Sequence, residues 1–282
     1  MNNILNLPAH RRIIFDGGTG TELQKLGFTT DPAVLNLTNP GNIIKIHQEY
    51  LKAGADMLTA NTFGAYTHKY ENAAEMIKAA MSHGRAAING QANKWLAFDL
   101  GPTGLMLEPY GDTTHEECFD IYNQAVEAGA ACGADLILIE TMMDIAELEI
   151  AVKAAKKTDL PVFATMSFDK NGFTMMGTSI KDMVSSLEGL CVDAIGLNCG
   201  FGPDLYTGLV AELASHTSLP IIVQPNAGLP ISSAVEGEPV SYSLTPEDFA
   251  SAMATIDVKF LGGCCGTSPA HIAALVKRLK NM

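Results

Sequence analysis

One unit recurs along the chain: a short apolar run, a turn of Gly, Asn or Thr, and an amphipathic helix. The runs are Arg12–Phe15, Asp56–Ala60, Trp95–Leu100, Leu136–Ile139, Val162–Met166, Ala194–Leu197, Ile221–Val223 and Val258–Leu261. Strands that alternate with helices build a parallel sheet, because each crossover returns the chain to the same end. Eight such units in 282 residues predict an α/β fold: a single (β/α)8 TIM barrel formed by residues 1–282. Between the runs, Asn42–Ala53 carries Ile43, Ile44, Ile46, Tyr50 and Leu51 at helical spacing. Asp144-Ile145-Ala146-Glu147 resembles a capping box that opens a helix through Lys153. Ser268-Pro269 reads as an N-cap followed by proline in the first turn, and Pro230 to Ser243 reads as a longer loop.

Charge and cysteine usage narrow the function. A net charge of −13 argues against a nucleic-acid partner, which needs a basic face. Asp or Lys interrupts every apolar run before it could cross a bilayer, and Met1–Arg12 lacks the apolar centre of a secretion signal. The expectation is a cytoplasmic protein without a membrane partner. Its six cysteines would then stay reduced, which favours metal binding or catalysis over disulfides.

Sites in such barrels form at the C-terminal ends of the strands. The polar residues at those ends are Asp16, Asn61, Glu140, Cys199, Asn226, Cys264 and Cys265. Neighbouring side chains on a regular strand point to opposite faces, so turning Cys264 and Cys265 to one point needs the distorted backbone that flanking glycines permit. With Cys199, three thiols converge in one mouth, as in a catalytic zinc site with one position open. The plain alternative is a set of small buried hydrophobes, and it holds for Cys118, Cys132 and Cys191, on helices or strand approaches. No histidine falls at a strand end, which argues against a zinc hydrolase with histidine ligands. Zinc held by thiolates suits a substrate that is itself a thiol, whose ordinary pKa of ~8.5 falls on coordination.

Gly17-Gly18-Thr19-Gly20 offers backbone N–H groups for a carboxylate or phosphate, or forms a plain tight turn. Glu140 ends an apolar run and is not needed as a helix cap, since Asp144 serves there; it could hold an ammonium group or bond a neighbouring loop. Amides for a carboxylate, a carboxylate for an ammonium and a metal for a thiol together describe a thiol amino acid.

Asp16-Gly17-Gly18-Thr19-Gly20, Asn61-Thr62-Phe63, Gly196-Leu197-Asn198-Cys199 and Gly262-Gly263-Cys264-Cys265-Gly266-Thr267 resemble the homocysteine S-methyltransferase family, over essentially the whole chain. The resemblance implies that Cys199, Cys264 and Cys265 hold zinc, that homocysteine binds as a thiolate, and that methylation gives methionine. It places the amino-acid end on Asp16, the Gly17 and Gly18 amides and Glu140. Leu35-Asn36, Gly101-Pro102-Thr103-Gly104 and Gln224-Pro225-Asn226-Ala227-Gly228 look most like the homocysteine-binding module of cobalamin-dependent methionine synthase. That likeness implies an Asn226 beside the metal, filling its fourth position when substrate is absent. It also implies a methylcobalamin donor, expected on a separate corrinoid protein because the sequence ends after one barrel. S-methylmethionine is the alternative donor. A phosphate-binding barrel lyase or isomerase and a non-catalytic thiol-binding subunit are the readings from other classes.

Overall fold

A computed structural model describes residues 4–8, 10–231 and 240–281. The elements in order are β1 (Ile13–Ile14), α1 (Thr19–Lys25), α2 (Pro32–Thr38), α3 (Pro40–Ala53), β2 (Met57–Thr59), α4 (Ala73–Ile88), β3 (Trp95–Leu100) and α5 (His115–Ala130). They continue with β4 (Leu136–Met142), α6 (Ile145–Ala155), β5 (Val162–Met166), α7 (Ile180–Gly189), β6 (Ala194–Cys199), α8 (Tyr206–His216) and β7 (Ile221–Pro225). The last are β8 (Pro230–Ile231), β9 (Ser241–Tyr242), α9 (Pro246–Met253), β10 (Phe260–Leu261) and α10 (Pro269–Lys280).

Eight strands pair in the order β1-β10-β7-β6-β5-β4-β3-β2, and every pairing is parallel. The two ends of this sheet meet. Asp56 N–H donates to Ile14 O at 2.6 Å and Asp16 N–H to Met57 O at 3.0 Å, closing a barrel. Alternation along each strand then makes two cores. Ile13, Phe15, Met57, Ala97, Leu138, Phe163, Ile222 and Phe260 fill the barrel. The opposite faces, among them Ile14, Leu58, Phe98, Ile139 and Ala164, pack under the helices. Each large side chain buried this way contributes ~1.5–3 kcal/mol.

The N-terminal ends of the strands are tied by a repeated aspartate. Asp56, Asp135 and Asp193 precede β2, β4 and β6, and each accepts a backbone N–H from the neighbouring strand, at Ile14 (3.2 Å), Leu96 (2.8 Å) and Val162 (2.8 Å). Each also faces a cation: Lys94, Arg85 and Lys156 respectively. These carboxylates are fully used by the fold.

Two local expectations change. Asp144 does cap α6, through Ala146 N–H at 2.9 Å. Glu147 does not complete a capping box, because it turns into the core to accept Thr103 N–H (2.7 Å), Thr103 O–H (2.6 Å) and Tyr122 O–H (3.0 Å). The stretch from Pro230 to Ser243 contains the antiparallel pair β8–β9, while residues 232–239 of that expected loop lie outside the described residues.

Candidate metal and substrate site

The same alternation that fills the barrel changes chemistry at its C-terminal end. Two residues beyond Met57, Ala97, Leu138, Phe163, Gly196 and Ile222 stand Thr59, Asp99, Glu140, Thr165, Asn198 and Gln224. The Phe15, Phe163 and Phe260 rings, with centroids 4.7–6.4 Å apart, lie below this polar layer as its apolar floor. Above it opens a cavity of about 270 Å³ lined by Asp16, Asp99, Glu140, Cys199, Cys264 and Cys265, among others. That is near the ~300 Å³ lower end of ligand pockets and suits a small substrate.

The three cysteines meet here. Their sulfurs all lie within 4.8 Å of one another. Cys264 and Cys265 reach one point because they stand in a turn. Thr267 N–H closes onto Cys264 O at 3.2 Å, and Gly266, two residues after Cys264, takes φ 79°. An i to i+3 bond with positive φ at the third residue is the type II turn, which needs glycine there. Cys199 ends β6 with φ 63°, in the left-handed region that costs a non-glycine residue energy. Its carbonyl is anchored by Tyr206 O–H at 2.6 Å and Phe201 N–H at 2.9 Å.

The chemistry of this donor set fits a soft metal ion. Hydrogen bonds from Cys264 and then Cys265 lower the Cys199 thiol to about 3, while Cys264 is raised well above its ordinary value. Cys265 is raised to about 11, first by its bond to Cys199. Cys199 is thus favoured as a thiolate at the expense of its two neighbours, and ionising all three thiols at such close range calls for a cation. Soft sulfur donors select zinc or a comparable soft metal. Asn226 also fits: its amide bonds Cys199, and its Oδ1 is buried without a hydrogen-bond partner.

Three carboxyls, of Asp16, Asp99 and Glu140, line the same cavity. Asp16 is buried, accepts Thr59 N–H at 2.9 Å, and is raised to about 7 by burial. Glu140 is raised to about 8, by burial first, then by the Cys199 charge and Asp16. The glycine turn needs correction. Gly18 N–H already donates to Thr267 O at 3.0 Å and Thr267 Oγ1 at 3.2 Å, so it is not free for a substrate carboxylate. Glycine stands there because a Cβ would lie 2.7 Å from Cys264 O. Thr19 and Gly20 line the cavity and, in the first turn of α1, their N–H groups have no intrahelical partners. Asn61 lines the cavity but spends its Nδ2 on Pro32 O and Asn36 Oδ1.

Three residues of the site were not expected from sequence. Asp99 follows Trp95 and Ala97 in strand phase, a signal that marks it as inward-facing. Asn198 stands within the Gly-Leu-Asn-Cys motif and bonds Thr141, Thr165 and, at 3.9 Å, Cys264 Sγ. Tyr242, on β9, donates its hydroxyl to Cys265, a long-range contact with no local signal.

The sequence profile of the homocysteine S-methyltransferase family matches residues 13–279. The chain belongs to the homocysteine S-methyltransferase family. Methionine synthase of Mycobacterium tuberculosis is 32% identical over 308 aligned positions, covering 99% of the chain and 26% of that protein. Methionine synthase of Mycobacterium leprae is also 32% identical, covering 98% and 25%. This family member therefore spans about a quarter of the length of those relatives. The metallated form of the Escherichia coli homocysteine methyltransferase MmuM superposes with TM-score 0.78 at 23% identity, covering 95% of the chain and 96% of that structure, a likeness that shows the shared fold.

Proposed function

We propose that this chain, acting as one barrel unit over residues 1–282, methylates the sulfur of homocysteine to form methionine. The carrying observation is the convergence of three cysteine sulfurs within 4.8 Å in a cavity that Asp16, Asp99 and Glu140 also line. Cys199, Cys264 and Cys265 would hold zinc, which when bound supplies a positive centre that keeps the substrate sulfur as a thiolate at neutral pH. Asn226 stands beside this set. Asp16 and Glu140 take the substrate ammonium, and the free N–H groups opening α1 take its carboxylate. Anchored at both ends, the sulfur points out of the barrel mouth. It attacks the methyl carbon in line with the breaking bond: a carbon–sulfur bond forms, and the electron pair of the old bond leaves with the donor. The thiol proton goes to solvent.

The donor we propose is a methylcorrinoid presented from outside this barrel. Two relatives 32% identical over 99% and 98% of the chain are methionine synthases. The rim also suits a large visitor: Met106, Tyr110, Phe173, Met175 and Met176, on the loops after β3 and β5, are exposed. Among the described residues no helix is long and apolar enough to cross a membrane, and a reducing cytoplasm suits free thiols. The test is methionine formation from homocysteine with methylcobalamin, S-methylmethionine and betaine under matched conditions. Turnover with methylcobalamin supports the proposal. A far better rate with S-methylmethionine would overturn the donor assignment, and no methionine with any donor would overturn the function.

A further inference from the structure

We infer that Asp99 is a third carboxyl of the substrate pocket, a specificity-determining contact for a primary ammonium group; this rests on the homocysteine reading above. Asp99 is 4% exposed, lines the cavity with Asp16 and Glu140, and its Oδ1 has no hydrogen-bond partner. A buried carboxyl oxygen left unpaired is costly, so native folds usually satisfy it. The other aspartates beside the barrel strands are satisfied: Asp56, Asp135 and Asp193 each accept a neighbouring backbone N–H and face a Lys or Arg. Among the described residues no Lys or Arg pairs with Asp99.

Its backbone is nonetheless fixed firmly. Thr62 Oγ1 donates to Asp99 O at 2.7 Å, and Asp99 N–H donates back to Thr62 Oγ1 at 3.1 Å. Asp99 is thus fixed in the cavity wall; its carboxyl accepts one backbone hydrogen bond, from Leu100, and Oδ1 is left without a partner among the described residues. Burial, then Glu140, then Asp16 raise its proton affinity, which places all three acids within electrostatic reach of one another. Three acids crowded into a buried pocket keep protons when the pocket is empty of charge, and a cation among them lets them ionise. A primary ammonium offers three N–H donors. Asp16, which already spends Oδ2 on Thr59, Glu140 and Asp99 Oδ1 give three acceptors. The match is to –NH₃⁺ and not to a neutral or fully substituted nitrogen.

The test compares homocysteine with 4-mercaptobutanoate, which keeps the thiol and carboxylate but lacks the amine. Both are titrated by calorimetry into the zinc-loaded full chain, wild type and Asp99→Asn, with zinc content measured. Asn keeps the shape and removes the charge; Asp99→Ser repeats the test if Asp99→Asn does not fold. The expected result is homocysteine affinity weakened roughly tenfold or more, as for loss of a charged hydrogen bond. Affinity for 4-mercaptobutanoate and zinc content stay unchanged. Equal weakening of both ligands would show a structural role and overturn the inference, as would unchanged homocysteine affinity. If the wild type binds 4-mercaptobutanoate and homocysteine equally, no ammonium site exists. If it binds neither, the homocysteine reading itself fails and the inference with it.

Discussion

Asn198 on β6 grips Thr141 on β4 with both ends of its amide: Nδ2 donates to Thr141 Oγ1 at 2.7 Å, and Oδ1 accepts Thr141 N–H at 2.8 Å. Thr141 has φ 59° and sits in a register shift between Ile139 and Met142. Glu140 lies within the same bulge, next to Thr141, so the amide holds the backbone that positions this carboxyl at the cavity. Asn198→Ala leaves Thr141 N–H and Thr165 O–H unpaired and should destabilise the chain by about 2–4 kcal/mol. Homocysteine affinity should fall while zinc is retained, because Asn198 reaches Cys264 only at 3.9 Å. Denaturant unfolding and ligand titration check this; wild-type affinity in a destabilised variant would contradict the positioning role.

Glu140 should add a proton to the binding reaction. Burial foremost raises it to about 8, so at pH 7 it is largely protonated and must ionise to hold an ammonium. The substrate thiol, ordinarily near ~8.5, gives up a proton as well. Calorimetry in two buffers at pH 7 should therefore count more than one proton released per homocysteine. Glu140→Gln should release about one fewer and bind more weakly, with zinc unchanged. Equal proton release by both forms would contradict the assignment.

Asp16 predicts how ligand-free stability depends on pH. Burial raises its carboxyl from 3.8 to about 7, so between those values the folded chain keeps a proton that the unfolded chain has lost. This stabilisation is fully present below pH 3.8 and is lost as pH rises to about 7. At 1.36 kcal/mol per pH unit the loss has a ceiling of ~4 kcal/mol. Asp16→Asn has no such proton, so its stability relative to wild type should be greater at pH 8 than at pH 5. The same difference at both pH values would show that Asp16 is not held protonated.

Much of this was legible in the sequence, and the gaps have physical causes. The strands stood out because parallel strands covered on both faces read as apolar runs, and their order fixed which ends would meet in one mouth. Cys199, Cys264 and Cys265 were legible because adjacent thiols between glycines have few structural uses. Asp99 was overlooked inside an apolar run, although its phase with Trp95 and Ala97 points inward. The role of Gly18 could not be read, because its N–H is taken by Thr267, 249 residues away. Tyr242 lies at the end of a long loop, where no periodicity says which way a side chain faces. Glu147 looked like a helix-capping residue because its core partners, Thr103 and Tyr122, are distant in sequence.

The central claim is that homocysteine sulfur joins Cys199, Cys264 and Cys265 around one zinc ion. X-ray absorption at the zinc edge, on the loaded protein before and after homocysteine, tests it most directly. The account predicts three sulfur neighbours rising to four, with zinc lost in Cys199→Ala and Cys265→Ala. A sulfur count that stays the same when homocysteine is bound, or full zinc in both variants, would contradict it.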